Sequence, residues 1–135
     1  MEVITEYLCG SKFEVSARSH RVICDQPREN GGEDSGMSPP EFLLASLGTC
    51  AAYYGTQYLI TRGFDPKPFR VRIIAEKALR PARLSSFRIE IDAPELDEHH
   101  REGLMRAVQA CLIHNTLLAQ PAIDIVLNTP VLAVS

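Results

Sequence analysis

Residues 38–63 read SPPEFLLASLGTCAAYYGTQYLITRG, and the fold is decided there. Ser38 suits a helix N-cap, Pro39 the first helical position and Glu41 the third, which is a capping box with proline where its missing N–H is harmless. From Phe42 no charged residue follows until Arg62, and Arg62-Gly63 supplies a cation and a glycine for the C-terminal end. The spacing predicts one long helix over 39–61. Ser46, Thr49, Thr56 and Gln57 dilute its apolar character, so a membrane span is not expected. A helix without a polar face must be covered all round, and a chain of 135 residues is too small to enclose six turns by itself. The expectation is therefore an obligate homodimer. Gly48 and Gly55 fit it: each costs about 1 kcal/mol relative to alanine inside a helix, and close approach of another backbone would account for them.

Working outward, residues 2–24 alternate apolar and polar side chains. Phe13, Val15 and Ala17 stand against Lys12, Glu14 and Ser16, the period of a half-buried strand, and Gly10-Ser11 suits a turn. Residues 25–38, DQPRENGGEDSGMS, form a polar loop with no hydrophobic period; a loop of this length in a small domain is usually functional. On the other side of the helix, 69–76 and 85–92 read as two strands with a loop around Pro81 between them. Asp97 can cap a second helix running to about His114, with Leu104, Val108, Cys111 and Leu112 on its apolar stripe. His99 and His100 fall in its first turn and are expected to be solvated. Residues 122–127 read as a last strand. There is no repeat and no linker, so 1–135 reads as a single α+β domain with an antiparallel-rich sheet and two long helices.

A net charge of −3 and an isoelectric point near 5.8 argue against a nucleic-acid footprint or a polybasic membrane patch. The start, MEVITEYL, has no basic segment followed by an apolar run, so no secretory signal is expected and the location expected is cytoplasmic. The four cysteines, at 9, 24, 50 and 111, show no C-x-x-C spacing. By spacing alone each is a small buried hydrophobe, and Cys9 and Cys24 stay so. Cys50 shares a helix face with Leu43, Leu47 and Tyr54. Cys111 and His114 have the spacing of half a zinc site, which would need Cys50 and His20 to complete it; no metal is expected.

The stretch Arg18-Ser19-His20, Asp25-Gln26-Pro27, Gly31-Gly32-Glu33-Asp34-Ser35-Gly36 and Ser38 through Cys50, followed by Cys111-Leu112-Ile113-His114-Asn115-Thr116-Leu117, resembles the OsmC/Ohr family of osmotically inducible and organic hydroperoxide resistance proteins. The resemblance runs from about residue 10 to 128. It implies an intertwined dimer and a peroxidase-like reaction with Cys50 as the peroxidatic thiol and Cys111 as the resolving thiol. Arg18 would then activate the thiolate, with Arg21 as its rival, and Leu43, Leu47, Tyr54 and His20 would line the substrate site.

The implied chemistry is coherent. A free thiol is only about 3% thiolate at neutral pH, and an adjacent guanidinium raises that fraction. Attack on a peroxide leaves a sulfenic acid that a second thiol closes to a disulfide, and an external dithiol resets the pair. No bound cofactor is required. An apolar pocket favours an organic hydroperoxide, since each buried CH₂ contributes about 0.8 kcal/mol. One position departs from the hydroperoxide-resistance branch, whose active-site glutamate directly follows the first proline of the motif. Pro40 stands there, and Glu41 lies one residue and 100° of helix further on, where capping explains it. The sequence therefore resembles the OsmC-like branch, and a small-ligand-binding or redox-sensing dimer is the alternative to a peroxidase.

Overall fold

The computed structural model describes residues 1–134. Strands β1 (Ile4–Cys9), β2 (Lys12–Ala17) and β3 (His20–Cys24) form an antiparallel meander. A loop carrying one 3₁₀ turn, Arg28–Asn30, leads to helix α1 (Pro39–Thr61), and the hairpin of β4 (Arg70–Ala78) and β5 (Arg83–Asp92) follows. Helices α2 (Glu98–Gln109) and α3 (Leu112–Leu118) complete the α+β architecture.

Local chemistry accounts for these boundaries. In the meander Phe13 lies between Tyr7 and Cys24, and Val15 opposite Val22, as the alternation requires. Helix α1 begins with the capping box: Ser38 donates to Glu41 Oε1 from its backbone N at 3.1 Å and from Oγ at 2.7 Å. It ends in a Schellman motif. Gly63 takes φ +80°, its N–H reaches Ile60 O at 3.1 Å, and Phe64 N–H reaches Leu59 O at 2.9 Å. Only glycine adopts that φ without a steric penalty.

The core lies where α1 crosses α2 and β4. Ala51, Tyr58 and Leu59 of α1 pack with Leu104 and Val108 of α2, and Phe69, Val71 and Ile91 close the sheet side. The two helix glycines lie against side chains of the same chain rather than another backbone, which corrects the expectation for them. A β-carbon on Gly48 would press on Ile73, and one on Gly55 would overlap the ring of Phe69. Both contacts come from the chain's own side chains.

Three further expectations change. The second helix stops at Gln109, and Cys111, with φ −57° and ψ 132°, breaks the run and serves as N-cap of the separate α3. His100 is half-buried rather than solvated: it shares a 3.0 Å hydrogen bond between Nδ1 and Tyr58 Oη and stacks edge-on against Phe64. The Arg62 guanidinium caps the other side of the Tyr58 ring, 3.9 Å from its centroid, a cation–π contact. Residues 122–127 form no strand. They carry no regular secondary structure and are exposed.

Two apolar surfaces stay uncovered. The β1–β3 meander makes its principal contacts within itself and lies apart from α1, leaving Tyr7, Leu8, Phe13 and Val22 exposed. Helix α1 buries Leu47, Ala51, Gly55, Tyr58 and Leu59 along one face, whereas Tyr53 and Ile60 are exposed on the opposite side and Leu43 near its start.

Candidate functional site

Cys50 sits midway along α1, one residue from the buried Ala51, and is half-buried. Cys111 is 0% exposed. The break between α2 and α3 leaves its side chain buried beside α1, where Cys50 is near enough to act on it. Both sulfurs are free thiols. Burial, and then the contact with Cys50, push the Cys111 thiol above its ordinary pKa; donation from the backbone of His114 and Ile113 opposes this. The His114 N–H reaches Cys111 Sγ at 3.5 Å, so the thiol also caps α3. At neutral pH Cys111 is thus a protonated, inaccessible thiol beside a reachable one, and only Cys50 can meet an incoming molecule first.

Tyr54, one turn beyond Cys50, forms with Ala110, Leu112, Asn115 and Thr116 a shallow groove of about 510 Å³ flanking the pair. On the same side of α1 as Cys50, Leu47 is buried and Leu43 is exposed.

The other candidates lie elsewhere. Arg18 is exposed in the β2–β3 turn with φ +56° and makes no ion pair or hydrogen bond among the described residues. Arg21 faces Glu14 across the meander at 3.6 Å. His20 opens β3 and is exposed. Within one chain, then, neither arginine is gathered with the cysteines. Glu41 is engaged in the capping box, whose bonds from Ser38 lower its pKa. It precedes Cys50 by nine residues, or about 14 Å along the axis. Among the described residues no group of three or more His, Cys, Asp or Glu side chains is placed to hold a metal, and no helix is long and apolar enough to cross a membrane.

Two residues matter more here than their sequence context signals. Asp25 is 0% exposed and gathers the loop that precedes α1. Ser11 Oγ donates to its Oδ1 at 2.5 Å and Gln26 N at 2.8 Å, while Glu33 N and Ser35 N donate to Oδ2 at 3.2 and 3.0 Å. These donors, Ser11 foremost and Ser35 next, hold its carboxyl far below the usual range against the opposing effect of burial. The available signal was an aspartate opening a glycine-rich loop. The second is His114, whose Nδ1 is buried with no partner among the described residues.

The chain belongs to the OsmC family: the family's sequence profile, described as OsmC-like protein, matches residues 32–126. Solved structures share the fold. A Psychrobacter arcticus protein whose name refers to osmotic stress induction and detoxification is similar at TM-score 0.76 and 20% identity, over 84% of this chain and 85% of that one. An OsmC-like protein from Mycoplasma pneumoniae gives TM-score 0.73 at 16% identity, over 88% and 87%. A Legionella pneumophila organic hydroperoxide resistance protein OsmC gives 0.58 at 15%, over 87% and 89%. A comparison with curated protein sequences returns no match.

Proposed function

We propose that the protein is a thiol-dependent, peroxidase-like redox protein of the oxidative stress response that reduces organic hydroperoxides with Cys50 and Cys111. The observation that carries this reading is the meeting of a half-buried and a fully buried free thiol at one helix crossing. The Cys50 thiolate attacks the distal peroxide oxygen and releases an alcohol once the alkoxide takes a proton. The resulting sulfenic acid condenses with Cys111 to a disulfide and water. An external dithiol reduces that disulfide by exchange, in a reducing compartment such as the cytoplasm. OsmC family membership and the name of the Legionella relative agree with this chemistry. Titrating the reduced protein with an alkyl hydroperoxide should give a Cys50–Cys111 link by mass spectrometry, with faster reaction than hydrogen peroxide; no link would refute the reading.

The active unit in this proposal is a homodimer. The meander stands away from its own α1 with apolar side chains bare, and residues 122–127 are exposed without regular secondary structure. Bare apolar surface of this extent marks an interaction surface, and a second copy would cover it. The β2–β3 turn of one copy would then approach α1 of the other and bring Arg18 to Cys50, with His20 beside the substrate groove. Sedimentation of the reduced protein at low micromolar concentration should give twice the 15.0 kDa chain mass; a well-folded monomer would contradict the arrangement.

The commitment of Glu41 to its capping box favours a second reading, a redox-sensing or small-ligand-binding dimer with slow turnover. Steady-state turnover with an alkyl hydroperoxide and excess dithiol separates the two: sustained cycling supports the enzyme, and a single oxidation event the sensor.

A further inference from the structure

The net charge of −3 is an average over an uneven distribution. Residues 74–88, the far part of the β4–β5 hairpin, read IAEKALRPARLSSFR and set four cations, Lys77, Arg80, Arg83 and Arg88, against one anion, Glu76. The expectation against a basic patch, drawn from the whole chain, does not describe this segment. Of the four cations only Arg88 has an ion-pair partner among the described residues, Glu90 at 3.1 Å. Arg83 holds the turn together, donating to Leu79 O at 3.3 Å and Pro81 O at 3.0 Å. Those acceptors are carbonyls, so its charge stays uncompensated. Lys77 and Arg80 are exposed. Arg80 stands at φ +64°, a left-handed setting that disfavours any side chain and that glycine would hold without strain.

The same turn presents apolar groups. Leu79 is 80% exposed, and Pro81 and Ala82 beside it are exposed too. Ile73 is the β4 residue that faces Gly48 of α1, and Leu79 lies six residues beyond it, about 20 Å of strand. The hairpin therefore ends in an uncovered leucine flanked by cations.

We propose that this hairpin tip docks on an anionic phospholipid surface, with Leu79 entering the boundary between headgroups and acyl chains and Lys77, Arg80 and Arg83 lying against the lipid phosphates. Charge complementarity selects an anionic partner. The apolar turn between the cations selects lipid: a leucine at the end of a hairpin enters a fluid interface wherever it lands, whereas a folded protein would have to offer a matching pocket. Lysine and arginine suit the same boundary, because their stems lie along apolar material while their charged heads stay in water. The proposal goes beyond the two-cysteine reading and does not depend on it, since none of these residues belongs to the thiol site and the binding is read without peroxide.

The test uses the full reduced chain and its sedimentation with vesicles of phosphatidylcholine alone or of equal parts phosphatidylcholine and phosphatidylglycerol. Binding is expected to the mixed vesicles and not to the neutral ones, and it should weaken as salt is raised. Lys77→Gln combined with Arg80→Gln should weaken it about 25-fold, or about fivefold for each cation removed. Leu79→Ser should weaken it on the order of tenfold. Arg106→Gln removes an exposed cation of α2 instead and should leave binding unchanged. All these positions are exposed, so unaltered melting temperatures will show that the variants fold. No binding to the mixed vesicles, undiminished binding by the tip variants, or an equal loss with Arg106→Gln would overturn the proposal. Tip-dependent binding to polyglutamate with none to vesicles would also overturn it, in favour of an acidic protein partner.

Discussion

Cys50→Ser should abolish peroxide-driven oxidation of a dithiol, a fall of on the order of 1,000-fold or more, as expected when a covalent nucleophile is removed. A serine hydroxyl is not ionised at neutral pH and cannot reduce a peroxide oxygen. Cys111→Ser should behave differently. Cys50 would still consume one equivalent of hydroperoxide, but its sulfenic acid would persist and become trappable by a dimedone probe, because the buried partner that closes the disulfide is gone. The contrast is the informative measurement. It follows from the unequal burial of the two thiols and from the shift that makes Cys111 the harder to ionise. Equal loss of the first oxidation event in both variants would show that the two sulfurs do not divide the work this way.

The second large effect falls on stability. Asp25→Asn should lower the melting temperature by roughly 10 °C. Each carboxylate oxygen of Asp25 accepts from two donors. Whichever way the amide of an asparagine is turned, its NH₂ faces two of them. The effect should depend on pH in a defined direction. Folding lowers the Asp25 pKa, so the folded state holds this proton less readily than the unfolded chain. The stabilisation is complete above the ordinary carboxylate range, about pH 4, and drains away as pH falls from there toward the folded value. The gap in melting temperature between wild type and Asp25→Asn should therefore narrow on acidification; a gap that widened would contradict the role assigned to this carboxylate.

How much of this was legible in the chain depends on the range of the interaction. The meander and α1 are written locally, in the alternation around Phe13 and Val15 and in the Ser38–Glu41 box closed by Gly63. The β4–β5 hairpin was legible in position but short in extent: it continues through Lys77 and begins again at Arg83, charged positions that an exposed ladder tolerates and an alternation pattern does not count. The end of α2 was not legible, because the apolar period runs on through Cys111 and Leu112 while the backbone breaks at Cys111. A thiol capping a short helix leaves almost no trace in composition. Asp25 was quoted in a motif, but its four donors come from Ser11 and three separate points of the following loop, and only folding assembles them.

Sequence alone determined the long helix that carries Cys50, the strands on either side of it and the family to which they belong, because capping, period and motif are read within a few residues. Tertiary structure decided what meets across the chain: that Ile73 and Phe69 fill the space at the helix glycines, that Cys111, at a helix break, is buried near Cys50, and that His114 keeps a buried nitrogen without a partner among the described residues. Each depends on contacts between residues far apart in the polypeptide, which are fixed only when their surfaces close on one another and exclude water.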